Sequence, residues 1–234
     1  MVRLGDVTAT LPDNLPEPIN ESADESPVRC LDIEASKLMV AEIDAAAEAR
    51  DTLGGIAEVV VRGLFVGLGS HVSWDRKLDG RLAGALMSIQ GVKGVEIGAG
   101  FEAARQRGSQ VHDEILSGDR EVAGGFVRAT NRAGGLEGGM TTGEPLVVRV
   151  AMKPISTLGR PLQTVNLDTG LPDNAHSERS DITAVPAMAV IAEAMVAFVL
   201  ANALVEKFCG DSLGELRDNT NSFVARIHDR IKDR

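Results

Sequence analysis

The stretch GGLEGGMTTGEPLVVRVAMKPIST, residues 134–157, carries the clearest structural pattern in the sequence. Its first ten residues are half glycine, which is typical of a tight turn or of a close approach of the backbone to a ligand. The run Leu146–Met152 follows, apolar apart from Arg149, and predicts a largely buried strand. We expect the strand to stop at Lys153-Pro154, because proline cannot donate to a sheet ladder.

Helices and strands are predicted on both sides of this stretch. Asp32 is placed to cap a helix that runs to about Arg50, because apolar residues recur there at three- and four-residue steps. Helices and strands alternate irregularly, with no repeat of fixed period, so we expect an α+β sandwich rather than a doubly wound sheet. The other predicted elements are strands over 56–64 and 93–101 and helices over 75–90, 184–208 and 213–231, with Ser180 or Asp181 capping the long helix and Pro186 in its first turn.

The charge balance argues against several classes of partner. The chain has 24 Lys and Arg residues against 34 Asp and Glu residues, a net charge of −10, whereas a nucleic-acid or anionic-membrane surface needs a basic stripe. Aromatic residues make up 3% of the chain, too few for platforms on which exposed bases could stack. We therefore expect no nucleic acid and no membrane as partners, and we expect local geometry to hold any anionic ligand.

A few features predict the cellular location and the domain layout. Cys30 and Cys209 are the only cysteines and the first residues show no signal-peptide pattern, which predicts a reducing cytoplasm. The segment 184–208 is long and apolar but includes a carboxylate, so it is predicted as a buried core helix rather than a membrane span. Residues 1–30, acidic and proline-rich, predict an extended, solvated arm on a single domain over 1–234.

The commonest catalytic motifs are missing from the sequence. Nucleophile-elbow, dinucleotide-binding and P-loop patterns do not occur. No histidine lies at metal-ligand spacing from another histidine or a cysteine, so no metal site is predicted. The histidines are His71, His112, His176 and His228.

Three polar junctions could meet a phosphate-bearing ligand, and each has a plainer alternative. Gly138-Gly139 leaves room for backbone N–H groups to approach a ligand, or it forms an ordinary turn. The KPIST segment, Lys153–Thr157, places a cation and two hydroxyls at a strand end, or it is a solvated strand end. Arg179-Ser180-Asp181 offers a guanidinium at a helix N-terminus, which favours anions, or Asp181 is only a helix cap.

Three longer blocks resemble bacterial chorismate synthase, in the family's order and spacing. They are HVSWDRKLDGRLAGALMSIQGVKGVEIGAGFEAARQRGSQVHDEI at 71–115, NRAGGLEGGMTTGEPLVVRVAMKPIST at 131–157 and ERSDITAVPAMAVIAEAM at 178–195. The RSDxxAVPA pattern in the third block is the specific one. DESPVRCLD near residue 24 and DTLGGIAEVVVRGLFVGLGS near residue 51 are also similar to the family, so the resemblance covers nearly the whole chain.

The resemblance implies a β-α-β sandwich fold and a cytoplasmic tetramer of identical subunits. The family converts 5-enolpyruvylshikimate 3-phosphate to chorismate by 1,4-elimination of phosphate, and it needs reduced FMN. By matching motif positions, Asp181 would be the active-site aspartate. The residues that would contact FMN are Gln90, Gly91, Gly138, Lys153, Pro154, Ile155, Ser156, Thr157 and Arg179.

The sequence also departs from the family pattern. Members begin with a GESHG segment whose histidine is catalytic, and a second histidine-bearing, arginine-rich segment contacts substrate, NADP and flavin. Nothing in this sequence matches either segment, so we expect a C-terminal portion of the enzyme that is incomplete on its own. Two other functions stay open: a non-catalytic remnant that assembles with other subunits, and an unrelated module that binds a phosphate-bearing ligand.

Overall fold

The chain folds into a mixture of strands and helices, and a computed structural model describes its residues 1–12, 14–118, 126–178 and 180–232. The strands are β1 Arg3–Leu4, β2 Val7–Thr8, β3 Gly55–Val61, β4 Val92–Ile97, β5 Ile115–Ser117, β6 Phe126–Arg128, β7 Leu136–Glu137, β8 Met140–Thr141, β9 Leu146–Met152, β10 Gln163–Val165 and β11 Pro172–Asn174. The α-helices are α1 Ile19–Asp24, α2 Ile33–Ala49, α3 Leu78–Met87, α4 Gly108–Val111, α5 Val185–Phe208 and α6 Leu213–Lys232, with short 3-10 helices at Trp74–Arg76 and Gly100–Arg105.

Five strands form one sheet in the order β2-β1-β3-β9-β4. β9 covers the residues predicted for it, and its Leu146, Val148 and Val150 are completely buried. Alternate side chains of a strand point to opposite faces, so these three residues share one apolar face. Two-stranded sheets pair β5 with β6, β7 with β8 and β10 with β11.

The chain divides into two compact units. The first contains Met1–Glu58, Ile89–Gly94 and Val150–Ile191, and the second contains Val59–Ser88, Val95–Arg149 and Ala192–Arg234. The expectation of a single domain over 1–234 stays a prediction.

Residues 1–30, in the first unit, are not simply the extended, solvated arm that their composition predicts. β1 pairs antiparallel with both β2 and β3, and Arg3 lies opposite Ile56 in the register. Leu4 and Val28 are buried, and α1 forms between them. The prediction is wrong for these parts, because strand pairing and a few apolar side chains anchor a segment that is rich in acidic residues and proline.

Helix α2 begins and ends as the sequence predicts. The carboxylate of Asp32 accepts hydrogen bonds from the backbone N–H groups of Glu34 and Ala35 at 3.1 and 3.0 Å, which satisfies donors that have no partner inside the helix. The bond from Ala35, with those from Thr10 and Glu34, holds the pKa of Asp32 below its usual value. At the other end, Arg50 adopts φ of +57°, the left-handed conformation that closes many helices.

The second unit has apolar contacts of its own. Every fourth residue of α3 from Leu78 to Leu86 is completely buried, as the apolar stripe predicts, although the helix is shorter than expected and follows a 3-10 turn. Three rings, Phe65, Phe208 and Phe223, pack edge to face with centroids 5.4 to 5.9 Å apart. These rings join the last turn of α5 to the middle of α6.

Helix α5 buries one face and exposes the other. Val196 is 1% exposed, whereas Phe198, two residues further along, is 67% exposed. Val190, Ile191 and Val205 are exposed on the helix as well, so the predicted buried core helix is correct for one face only. Within the described ranges, α5 is the helix whose length and composition would allow it to cross a membrane.

We predict different costs for truncating the two faces of α5. Val196→Ala should lower the free energy of unfolding by about 2 kcal/mol, because it removes buried methyl groups and leaves a cavity. Phe198→Ala should change it by less than about 0.5 kcal/mol, as expected at an exposed helical site. Urea denaturation of both variants measures the two values. An equal loss in both would show that the outer face of α5 is covered in solution.

Candidate functional site

β9 ends where its backbone can no longer pair. Pro154 has no N–H group to donate to the sheet, and the N–H of Lys153 bonds to the carbonyl oxygen of Gly91 at 2.9 Å. Gly91 has φ of +76°, and a Cβ there would lie 3.0 Å from the Cε of Met152, so glycine suits this turn. The hydrogen bond joins the Gly91 turn to the start of the KPIST segment.

Two hydroxyl groups hold the backbone of the KPIST segment. The buried Thr52 donates from its Oγ1 to the carbonyl of Ile155 at 2.6 Å, and Ser180 donates from its Oγ to the carbonyl of Thr157 at 3.0 Å. Because Ser180 directly precedes Asp181, the second bond also places Asp181 beside the segment. We call three segments together the strand-end cluster: Gln90–Gly91, Lys153–Thr157 and Ser180–Asp181.

Asp181 is exposed and does not cap the long helix. The helix α5 begins four residues later, and the hydroxyl of Thr183 accepts a hydrogen bond from the N–H of Val185 at 3.3 Å. The predicted cap at Ser180 or Asp181 is therefore wrong, although Pro186 does lie in the first turn. The unpaired N–H groups of the helix start belong to residues after Ala184, and Arg179 lies outside the described residues.

The strand-end cluster presents polar side chains to solvent. Gln90, Lys153 and Ser156 are exposed, and their side chains take no part in any hydrogen bond or ion pair within the described part of the chain. A carboxamide, an ammonium and a hydroxyl are thus free to meet a ligand. This donor set fits a ligand with a phosphate group and polar edges.

Gly138 lies in the second unit, at the turn between β7 and β8. Gly138 and Gly139 have φ of +60° and +86°, the positive values of a two-residue hairpin turn. A Cβ on Gly138 would meet no atom within 4 Å, whereas one on Gly139 would lie 2.7 Å from the carbonyl oxygen of Ser70. A turn therefore forms here, and Gly138 leaves open space in front of it, so the predicted ligand contact at Gly138 stays a prediction.

Asp113, which no local sequence pattern marks, organises the loop leading to this hairpin. Asp113 is 7% exposed, and its carboxylate accepts hydrogen bonds from the hydroxyl of Thr130 and from the N–H groups of Arg132 and Ala133, the latter two at 2.8 and 2.9 Å. Burial would raise its pKa, but these hydrogen bonds outweigh burial and hold the pKa below its usual value. The donors lie 17 to 20 residues beyond Asp113 in the sequence, so no local residue spacing predicts these hydrogen bonds.

The match to known proteins covers almost the whole of this chain. The family model "Chorismate synthase" matches residues 2–205. The chain belongs to the chorismate synthase family. It is 59% identical over 225 residues to a chorismate synthase of Salinispora tropica and 56% identical over 237 residues to one of Saccharopolyspora erythraea. A solved structure, "Crystal Structure of Chorismate Synthase", matches with a TM-score of 0.80 and 42% identity.

These matches confirm the resemblance and the α+β, chorismate-synthase-like fold. The alignments with the two curated relatives cover 96% and 100% of this chain. The chain spans only 56% and 58% of the length of those relatives. The solved structure covers 97% of the chain, which spans 62% of that structure. The flavin contacts and the role of Asp181 stay predictions. Among the described residues, no group of His, Cys, Asp and Glu side chains is placed to hold a metal ion.

We predict that Asp113→Asn destabilises the protein at neutral pH by about 1–3 kcal/mol, because it weakens charge-assisted hydrogen bonds made by the buried Asp113 carboxylate to part-buried N–H groups. The folded-state pKa is depressed, so the carboxylate stabilises the fold above its unfolded pKa. That contribution is lost as the pH falls through the folded pKa. The difference in the free energy of unfolding between wild type and Asp113→Asn should therefore shrink below about pH 4.

Urea denaturation from pH 7 to pH 3 measures this gap. Asp44→Asn, at an exposed position of α2, is the matched control and should change little. A gap for Asp113→Asn that stays constant over the whole range would contradict the prediction.

Proposed function

We propose that this chain contributes the flavin side of a chorismate synthase active site. The reaction is the 1,4-elimination of phosphate from 5-enolpyruvylshikimate 3-phosphate to chorismate, with reduced FMN required. Asp181 is the acid–base group of the set. The FMN contacts are Gln90, Gly91, Gly138, Lys153, Pro154, Ile155, Ser156, Thr157 and Arg179.

The observation that carries the proposal is the pair of hydrogen bonds that assembles the strand-end cluster. The N–H of Lys153 bonds to Gly91, and the hydroxyl of Ser180 bonds to Thr157. These bonds bring together three segments that are distant in the sequence and that contain eight of the ten proposed residues. The pairing of β4 with β9 already places Gly91 beside Lys153, whereas the Ser180–Thr157 bond is outside that pairing and is not required by a purely solvated strand end.

The side chains of the cluster fit the chemistry of the proposed cofactor. Lys153 supplies a point charge for a phosphate group, and the hydroxyls of Ser156 and Thr157 supply hydrogen-bond donors. The carboxamide of Gln90 offers both donors and an acceptor to a polar ring edge. Reduced FMN, when bound, supplies the electron density that assists departure of phosphate. Asp181 can take up or release a proton at a carboxylate oxygen.

The proposal extends to the setting of the reaction. We propose a cytoplasmic homotetramer that takes a small-molecule substrate, with NADP and flavin contacts completed by the family segments that this sequence lacks, and with neither nucleic acid nor membrane as a partner. The net charge of −10 supports the absence of polyanionic partners. A second candidate, a non-catalytic module for subunit assembly, is favoured by the exposed apolar face of α5.

We predict that Lys153→Met weakens FMN binding about 10- to 100-fold, because it removes a charged hydrogen bond worth about 1.5–3 kcal/mol. The measurement is a flavin titration of this chain assembled with the part of the Salinispora tropica relative that it does not match. Lys37→Met is the control, since Lys37 lies on α2 and pairs with Glu34. Equal flavin affinity in wild type and Lys153→Met would count against the assigned contact.

We predict no chorismate formation by the 234-residue chain alone, and turnover once the missing portion is added, because catalytic groups act as a unit. In the completed assembly, Asp181→Asn should lower kcat and leave the melting temperature unchanged, since Asp181 is exposed and caps no helix. An assembly that forms and binds flavin yet never turns over would favour the assembly module. A parallel loss of stability and activity in Asp181→Asn would assign that residue a structural role.

A further inference from the structure

A cavity of about 310 Å³ lies in the second unit, at the last turns of α5. None of its lining residues is among the predicted flavin contacts. The lining includes the polar or charged residues Ser70, His71, Arg76, Arg81, Glu206 and Lys207, beside an apolar part from Met140 and Ala203. The volume falls within the range of small-molecule sites.

One carboxylate holds two guanidinium groups at this cavity. Glu206 accepts from the Nε of Arg76 at 3.1 Å through one oxygen and from Arg81 at 2.6 Å through the other. The hydrogen bond from Arg81, together with that from Arg76, lowers the pKa of Glu206, so the carboxylate stays ionised. Each guanidinium has five N–H donors, and most of them remain available after the hydrogen bonds to Glu206 are made.

Lys207 adds a third cation whose charge is not neutralised locally. Its ammonium lies 5.0 Å from the centroid of the Phe223 ring, and no carboxylate within the described ranges lies at ion-pair distance from it. Lys207 is half-buried, and this burial lowers the pKa of its ammonium group. The residues that line the cavity thus sum to a formal charge of +2, from three cations and one carboxylate, on a chain whose net charge is −10. Asp75, outside the lining, interacts with Arg76 and places one further negative charge nearby.

We propose that this cavity is a binding site for a small phosphate monoester, held by Arg76, Arg81 and Lys207. The lining residues carry a formal charge of +2, which suits an anion such as a phosphate monoester, whose charge is about −1.5 to −2 near pH 7. Guanidinium forks suit phosphate oxygens, and a lysine adds a point charge. The cavity has room for more than an inorganic phosphate ion, and the apolar part beside Met140 and Ala203 suits the carbon skeleton of an ester.

A structural explanation of the same cluster makes a different prediction. Cations are stabilised near the C-terminus of a helix, so the three basic residues could serve only to neutralise Glu206 and the end of α5. In that case the cluster has no use for a further anion. Titration of the wild-type chain separates the two explanations, because a cluster that is already satisfied by Glu206 gives no saturable phosphate binding, whereas a ligand site does. Glu206→Gln frees both guanidinium groups and raises the formal charge of the lining residues to +3.

The test is a titration of this chain with glycerol 3-phosphate and with inorganic phosphate, at constant ionic strength maintained with sodium chloride. Trp74, the only tryptophan, is 84% exposed and lies two residues from Arg76 in the same 3-10 turn, so its fluorescence reports binding. We expect saturable binding of glycerol 3-phosphate and at least threefold weaker binding of inorganic phosphate.

The variants make the expected result specific. Arg81→Gln and Lys207→Gln should each weaken binding at least tenfold, Glu206→Gln should strengthen it at least threefold, and Lys37→Gln should leave it unchanged. Circular dichroism identifies any variant that fails to fold. If Arg81→Gln does not fold, the affinity of Lys207→Gln tests the proposal. A fluorescence response that does not saturate would overturn the proposal. Equal affinities in wild type, Arg81→Gln and Lys207→Gln would also overturn it. Inorganic phosphate binding as tightly as the ester would overturn the assignment to a monoester.

Discussion

The end of strand β9 determines the position of the groups in the strand-end cluster. β9 ends at Met152, just before Lys153-Pro154, so the carbonyl groups of Ile155 and Thr157 lie outside the sheet ladder. They accept instead from the hydroxyls of Thr52 and Ser180, since backbone groups that leave a ladder need other partners. These two hydroxyls therefore have structural roles, and the polar side chains left for a ligand are those that the backbone does not use.

The same requirement explains where helix α5 begins. Ser180 and Asp181 are residue types that favour a helix cap, but the hydroxyl of Ser180 is engaged with Thr157. The Leu53 N–H also donates to the carbonyl of Ile182 at 2.8 Å, so the backbone here is held by long-range bonds rather than by a helical turn. The helix starts only at Val185. Because the helix begins four residues after Asp181, the carboxylate of Asp181 has no capping role and is open to solvent.

The parts of the fold that the sequence predicts are those that depend on local pattern. β9 follows from an apolar run that ends at a proline, and α2 follows from Asp32 together with a helical apolar stripe. Residues 1–30 are predicted poorly, because composition averages over the segment and does not show that Leu4 is buried. The Asp113 loop is not predicted at all, since its donors are 17 to 20 residues away. Local pattern marks two segments of the strand-end cluster, Lys153–Thr157 and Ser180–Asp181, but fits an ordinary strand end or helix cap equally well. Only the family resemblance predicts Gln90–Gly91 and a flavin role for the three segments.

Solvent exposure limits what the strand-end cluster can do by itself. An exposed ion pair contributes about 0–1 kcal/mol and is screened further by salt, so Lys153 and its neighbours would hold a phosphate weakly in open water. Tight flavin binding needs a second surface that excludes water and strengthens each of these contacts. The chain spans 56% and 58% of two curated relatives, and their remaining length is the natural source of such a surface. The gain in flavin affinity on adding that portion therefore distinguishes a site that needs a second surface from a cluster that does not bind flavin.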